Sequence, residues 1–311
     1  MRVIEGFPEV DGLRDGYLAL GNFDGVHRGH RQLIGSVVSR AREAGRPAVV
    51  ITFFPHPAQI LEEEPLGLLT PKARKEKLIA ALGVDFLVVL PFNRELARLP
   101  ASAFVREILW PYFQPRLVAV GFNFTFGYKG TGTPDLLHRL GEELGFKVEV
   151  MEPVTHKGVT VSSTAIRNAL DRGDILLAKE LLGYWPVLSG NVVGGDRRGR
   201  ELGFPTANLA VPPEVKLPAK GVYACLARFQ ERAYKAVVNI GRRPTFGHNL
   251  PPTVEAHLLD FRGDIYGCEL ELELRAFLRP ERRFTNAGEL VAQMEADCTR
   301  ARAILSDPEE G

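Results

Sequence analysis

The feature that most restricts the fold is a change of hydrophobic rhythm near Gly183. Upstream, β-type apolar runs alternate with helix-spaced segments. Downstream, short strand-like runs follow one another, separated by Gly and Pro. Strands alternating with helices specify a parallel sheet under helices with right-handed crossovers, whereas successive short strands specify a sandwich or a small barrel. The chain is therefore expected to divide into domains 1–183 and 184–311. Its 311 residues accommodate two domains of about 100–200 residues each.

In the first half, strands are expected at Tyr17–Leu20, Ala48–Phe54, Phe86–Leu90, Leu117–Val120 and Lys147–Met151. The continuous run AVVITFF at Ala48–Phe54 suits a strand buried on both faces. A helix over His30–Ala44 gathers Leu33, Ile34, Val37, Val38 and Ala41 on one side and stops at Gly45. Thr70 as cap and Pro71 as first residue open the next helix, which Gly83 ends. Further helices are expected at Ser102–Leu109, Asp135–Leu144, Thr164–Leu170 and Ile175–Leu182. In the second half, strands at Val187–Val193, Val222–Phe229, Tyr234–Ile240, Val254–Leu259 and Glu269–Leu274 suggest a mainly β barrel. A terminal helix over Ala287–Leu305 follows, with Leu290, Met294 and the Ala301–Ile304 region on one side. The expected fold class is thus an α/β, Rossmann-like domain followed by a barrel with a terminal helix.

Charge and composition exclude several functions. A net charge of +1 and the lack of an aromatic-basic stripe argue against nucleic acid. No run reaches the roughly 18 apolar residues of a membrane span, and the opening MRVIEGFPEVDGLRDG is not expected to be a secretory signal. Cys225, Cys268 and Cys298 form neither a CxxC pair nor a zinc spacing, as expected of reduced thiols in a cytoplasmic protein. The partners expected are small molecules, and no signal specifies an oligomer.

Two strings carry chemistry in the first half. GNFDGVHRGH lies between a buried strand and a helix, where open α/β sheets bind ligands. Gly21, Gly25 and Gly29 permit sharp turns and close backbone approach. His27 and His30, three apart at a helix start, offer two imidazoles beside free N–H groups, a setting for polyphosphate. An HxxH pair also suits a metal or a structural role. Neither a GxxxxGK[ST] loop nor a GxGxxG turn occurs. The second string, VSSTAIRNAL, presents Ser162, Ser163 and Thr164 as helix caps or phosphate ligands, with Arg167 one turn on.

In the second half, GNVVGGDRRGRELGFPTANL combines a strand with a loop carrying Gly194, Gly195, Arg197, Arg198, Gly199 and Arg200. Such loops cradle phosphates or form solvated hairpins. Thr206 and Asn208, two apart in an extended segment, share a side and offer neutral oxygens suited to Mg²⁺ with ATP phosphates. Glu255 sits among apolar strand residues and can serve as a general base.

GNFDGVHRGH with VSSTAIR resembles the adenylyltransferase module of bacterial FAD synthetases, within the wider nucleotidyltransferase group bearing an HxGH signature. The resemblance implies that His27 and His30 contact ATP phosphates and stabilise charge as the α-phosphate is attacked. It implies that Gly21, Asn22, Phe23, Asp24 and Gly29 form the ATP loop, and that Ser162, Ser163, Thr164 and Arg167 close on the same triphosphate. The string ITFFPHP around His56 matches as well. Asn123, within GFNFTFG, stands where the family often has Asp, in contact with nucleotide or flavin, and Lys129 lies near a usual basic position.

The stretch from about Leu188 to Arg302 resembles riboflavin kinase, a small barrel. The resemblance implies ATP contacts from Gly194, Gly199, Arg200 and Gly203, and Mg²⁺-ATP held by Thr206 and Asn208. Glu255 would take a proton from the ribityl hydroxyl, and Arg279 and Glu281 would line the flavin side near Phe284. Both signature sets in one chain imply two reactions: riboflavin and ATP to FMN, then FMN and ATP to FAD and pyrophosphate, with Mg²⁺ as the ion.

Overall fold

A computed structural model describes residues 1–8, 12–62, 67–194, 203–230, 232–241 and 252–306. They form two compact units, Met1–Ser163 and Thr164–Gly311.

The first unit is built on six strands: β1 (Arg2–Glu5), β2 (Tyr17–Leu20), β3 (Ala48–Phe54), β4 (Phe86–Pro91), β5 (Leu117–Gly121) and β6 (Lys147–Met151). All pair in parallel, in the order β1-β4-β3-β2-β5-β6. β1 has exposed ends and no long apolar run, so periodicity alone did not mark it. Helix α1 (Arg28–Glu43) buries the expected five residues, Leu33, Ile34, Val37, Val38 and Ala41, against one sheet face. The other face packs on the helical stretch from Ala101 to Phe113 and on a helix over Pro134–Leu144.

Three local expectations change in the first unit. Pro71, not Thr70, is the cap of the helix Lys72–Ala80, because the Thr70 hydroxyl instead accepts a hydrogen bond from Gly25 N at 3.1 Å. The segment Phe104–Leu109 is a π-helical stretch between two short α-helices. Its buried Phe104, Val105, Ile108 and Leu109 keep the apolar spacing that suggested an ordinary helix. A two-stranded hairpin, β7 (Thr155–His156) with β8 (Val159–Thr160), follows β6, too short to leave a pattern.

The second unit is a closed six-stranded antiparallel barrel: β9 (Val187–Val193), β10 (Ala207–Ala210), β11 (Gly221–Phe229), β12 (Arg232–Gly241), β13 (Thr253–Leu258) and β14 (Glu269–Arg279). It closes in the order β10-β13-β12-β11-β14-β9, with β9 returning to β10. Only four residues long, β10 was not foreseen as a strand. Along β13, Val254, Ala256 and Leu258 are buried while Thr253, Glu255 and His257 are half-buried, the alternation of a strand with two unlike faces.

A helix over Ala287–Ile304 packs on the barrel wall through Cys298 and Ala301, beside Val222, Ala224, Leu259 and Leu278. Its buried stripe also contains Asp297, whereas Leu290 and Met294 are half-buried and Ile304 is 39% exposed. The apolar side expected from the sequence is thus displaced toward a buried carboxylate.

Candidate functional sites

The first site sits at the carboxyl end of β2, where a parallel sheet offers its ligand crevice. The turn leaving β2 is tight: Phe23, Gly25 and Val26 all have positive φ, 51°, 86° and 36°. Two non-glycine residues in that region mark stored backbone strain, which functional loops retain when their surroundings hold them. The surroundings here are specific. Asp24 is 4% exposed, and its carboxylate accepts from Leu69 N at 2.9 Å and Thr70 N at 3.2 Å. Phe23 is 1% exposed. Neither side chain faces solvent, so both shape the loop from within.

His27 caps α1, and its Nδ1 accepts from His30 N at 3.3 Å, which assigns the proton of a neutral His27 to Nε2. The two rings stack with centroids 3.5 Å apart, and Phe23 meets His30 edge-on. A Cβ at Gly29 would make only ordinary contact with the His27 ring, at 3.4 Å. His30 is held well below its usual imidazole range, first by burial, then by His27 and Lys75, and is therefore neutral. Its Nδ1 is buried with no hydrogen-bond partner among the described residues. A buried, unpaired ring nitrogen at a helix start calls for a ligand or water.

Lys75, absent from the sequence reading, lies behind this loop. It is 7% exposed, and its Nζ donates to Thr52 Oγ1 at 3.2 Å and to Asn22 O at 3.3 Å. Thr52 Oγ1 in turn donates to Asn22 O at 3.1 Å. A lysine within the charged run KARKEK carries no periodic sign of burial.

Ser163 donates to Asp24 O at 2.9 Å, joining the second string to the loop. Ser162 precedes it, half-buried, while Thr164 and Arg167 continue along the helix Ser163–Asp171. Asn123 follows β5 and is exposed, beside Phe122 at 44% exposure. His56 caps a short helix, Pro57–Leu61, through a capping box with Gln59.

The second site lies on the barrel wall. Asn208 on β10 is the register partner of Glu255 on β13, and Glu255 also partners Asn239 on β12. Register partners share a face, so a carboxylate stands between two amides. Thr206, two residues before Asn208, is half-buried, with buried Ala207 between them. The His257 ring holds the approach to β10: its Nδ1 is 2.8 Å from Pro205 O, and Phe204 packs edge-on against it. A carbonyl only accepts, so Nδ1 carries the proton. Gly194 and Gly203 are exposed. Gly199 and Arg200 lie outside the described residues, as do Gly195, Arg197 and Arg198.

Arg279 continues the same row, through Val222 on β11. Three strand spacings of about 4.8 Å separate it from Glu255 along the wall. Its guanidinium is committed to Asp297, with Nε 3.0 Å and Nη2 2.8 Å from Oδ2. Gln293 donates to the same carboxylate at 2.8 Å. Glu281 is exposed, and its carboxylate abuts Gly241. Burial pushes the Cys225 thiol far up, so it is inert.

Among the described residues, no group of His, Cys, Asp and Glu is arranged to hold a metal by itself. A hard cation at Thr206 and Asn208 would therefore need oxygens from its nucleotide, as Mg²⁺ does at phosphates.

Known proteins match in the same two parts. The family model for FAD synthetase covers residues 11–165, and that for riboflavin kinase covers residues 182–305. The bifunctional riboflavin kinase/FMN adenylyltransferase of Bacillus subtilis is 38% identical over 296 residues, covering 93% of this chain and 92% of that protein. The Escherichia coli protein of the same name is 38% identical over 290 residues, with the same coverage. A crystal structure described as a macrolide-efflux protein from Streptococcus pneumoniae superposes with a TM-score of 0.87 at 30% identity, covering 97% of this chain and 99% of that one. What the two share is the fold, and among the described residues no helix is long and apolar enough to cross a membrane. With both family models matched in order, the chain belongs to the bifunctional riboflavin kinase/FMN adenylyltransferase family.

Proposed function

We propose that the two reactions of this family are divided between the two halves of the chain, with domains 1–183 and 184–311 as the working modules. The barrel transfers the γ-phosphoryl group of ATP to riboflavin, giving FMN and ADP. The α/β module transfers the adenylyl group of a second ATP to FMN, giving FAD and pyrophosphate. Both reactions use small molecules only, and we place them in the cytoplasm.

In the α/β module, His27 and His30 face the triphosphate. The unpaired Nδ1 of His30 is the observation that carries this assignment, because it is a polar atom waiting for a partner at a helix start. Gly21, Asn22 and Gly29 let the backbone approach the phosphates, while Phe23 and Asp24 hold the loop. Ser162, Ser163, Thr164 and Arg167 complete the phosphate cradle, and Asn123 contacts nucleotide or flavin.

In the barrel, Glu255 accepts the proton of the ribityl hydroxyl. The Asn208–Glu255 register supports this role, since it sets the base opposite Asn208, two residues after Thr206. Those two residues would hold Mg²⁺, which neutralises phosphate charge when bound. Gly194, Gly199, Arg200 and Gly203 form the loop over the nucleotide. Arg279 acts by anchoring the strand end before Glu281, which lines the flavin side. Positioning and charge neutralisation supply most of such a catalysis. Paired assays test the division: His30→Ala should abolish most FAD formation and spare FMN formation, and Glu255→Gln should do the reverse. If either change removes both activities from a folded protein, the division is wrong.

A further inference from the structure

A buried ammonium group needs a reason. Lys75 is enclosed behind the Gly21–His30 loop, with Thr52 Oγ1 and Asn22 O as its acceptors. Stability does not supply the reason. Burial lowers Lys75 from 10.5 to about 8, against the pull of Asp24 and Glu76 and with the push of Lys72. The charged form is therefore disfavoured by folding, yet at neutral pH the group is still mostly protonated. Its partners also do not need it: without the ammonium, Thr52 still donates to Asn22 O. What the lysine adds is positive charge behind the loop, close enough to help keep His30 neutral.

We propose that Lys75 is a positioning residue for adenylyl transfer, supplying buried positive charge behind the Asn22 turn against which the ATP phosphates settle. This rests on the reading that the loop binds ATP. The groups that face the ammonium are Asp24 and His30 from the loop and α1, and Lys72 and Glu76 from its own helix. A fixed charge in a low-dielectric setting acts on a polyanion more strongly than a solvated surface lysine does.

The test compares Lys75→Met and Lys75→Arg in the full chain, with riboflavin phosphorylation as the internal control of folding. Lys75→Met should lower kcat/KM for ATP in FMN adenylylation by about 10- to 100-fold, the scale of a lost charged hydrogen bond. Most of that loss should appear in KM for ATP, while the thermal midpoint stays level or rises. Wild-type adenylylation should fall as pH passes about 8 and the ammonium is lost. Lys75→Met should lack that limb, and Lys75→Arg should move it upward while restoring most of the ATP affinity. ATP kinetics within twofold of wild type in Lys75→Met, or an unchanged pH limb in Lys75→Arg, overturns the proposal. Should Lys75→Met fail to fold, the limb in wild type and Lys75→Arg decides alone. His30→Ala separates the levels: normal FAD formation in that variant removes the ATP reading itself, whereas a silent Lys75→Met removes only the role of the lysine.

Discussion

Asn208 and Glu255 face each other as register partners on adjacent strands of the barrel, and Asn239 flanks Glu255 from the opposite strand. The row brings the side-chain amides of Asn208 and Asn239 and the carboxylate of Glu255 onto a single face. A strand wall fixes such a row more tightly than loops do, because a slip of one residue would turn every member to the other face.

Glu255→Gln keeps the shape and polarity of the row but cannot accept a proton. Riboflavin phosphorylation should fall by about 10²–10⁴-fold, with kcat and kcat/KM falling together. Conversion of supplied FMN to FAD should be unchanged. A strand glutamate without a chemical role predicts no kinetic effect, so steady-state assays of both reactions distinguish the two.

His30 provides a pH prediction. In the free protein it is neutral, because burial, His27 and Lys75 all disfavour the imidazolium. A triphosphate beside the ring favours the charged form, so its pKa rises on binding and ATP should bind with proton uptake. Calorimetric titration of ATP in buffers of different ionisation enthalpy reads that uptake, and His30→Ala should reduce it. The same variant should lose about 10²–10³-fold in FMN adenylylation.

Asp297 ties the terminal helix to β14 through Arg279, and the side chains are 6% and 18% exposed. Removing one member of a buried pair leaves the other charge unpaired. Asp297→Ala should therefore destabilise the second unit by about 3 kcal/mol, seen as a lower denaturant midpoint for that unit. Asp297→Asn should lose less, since the amide oxygen still accepts.

The start of the second unit bears on its independence. The helix Ile175–Leu182 buries Ile175, Ala178, Leu181 and Leu182, and Asp171 of the preceding helix pairs with Lys216. Ala219 N also donates to Leu170 O at 2.8 Å. Both a fragment beginning at Thr164 and one beginning at Tyr184 should phosphorylate riboflavin and make no FAD. The longer fragment should have the higher thermal midpoint, because the shorter one exposes the barrel surface those helices cover. Equal midpoints would show that the helices add nothing.

The sheet and barrel were legible because their strands carry long apolar or alternating runs, as in AVVITFF and ELELEL. β1 and β10 were not: β1 is mostly exposed, and the four residues of β10 alternate too briefly to stand out. The histidine string was legible because glycines, a preceding strand and a following helix occur together. Lys75 was not, because its burial depends on Thr52 and Asn22, distant in sequence, and its own neighbours are charged. Asn239 was hidden in the same way: only the pairing of β12 with β13 sets it beside Glu255. Asp297 ran against the expectation that a helix stripe facing a core is apolar.

The most direct test is to incubate the purified chain with riboflavin, ATP and Mg²⁺ and to separate the flavins over time. FMN should appear first and FAD later, with ADP formed in the first step and pyrophosphate in the second. Riboflavin left unchanged by a folded protein, or FMN that accumulates without any FAD while ATP remains, would contradict the assignment of both reactions to this chain.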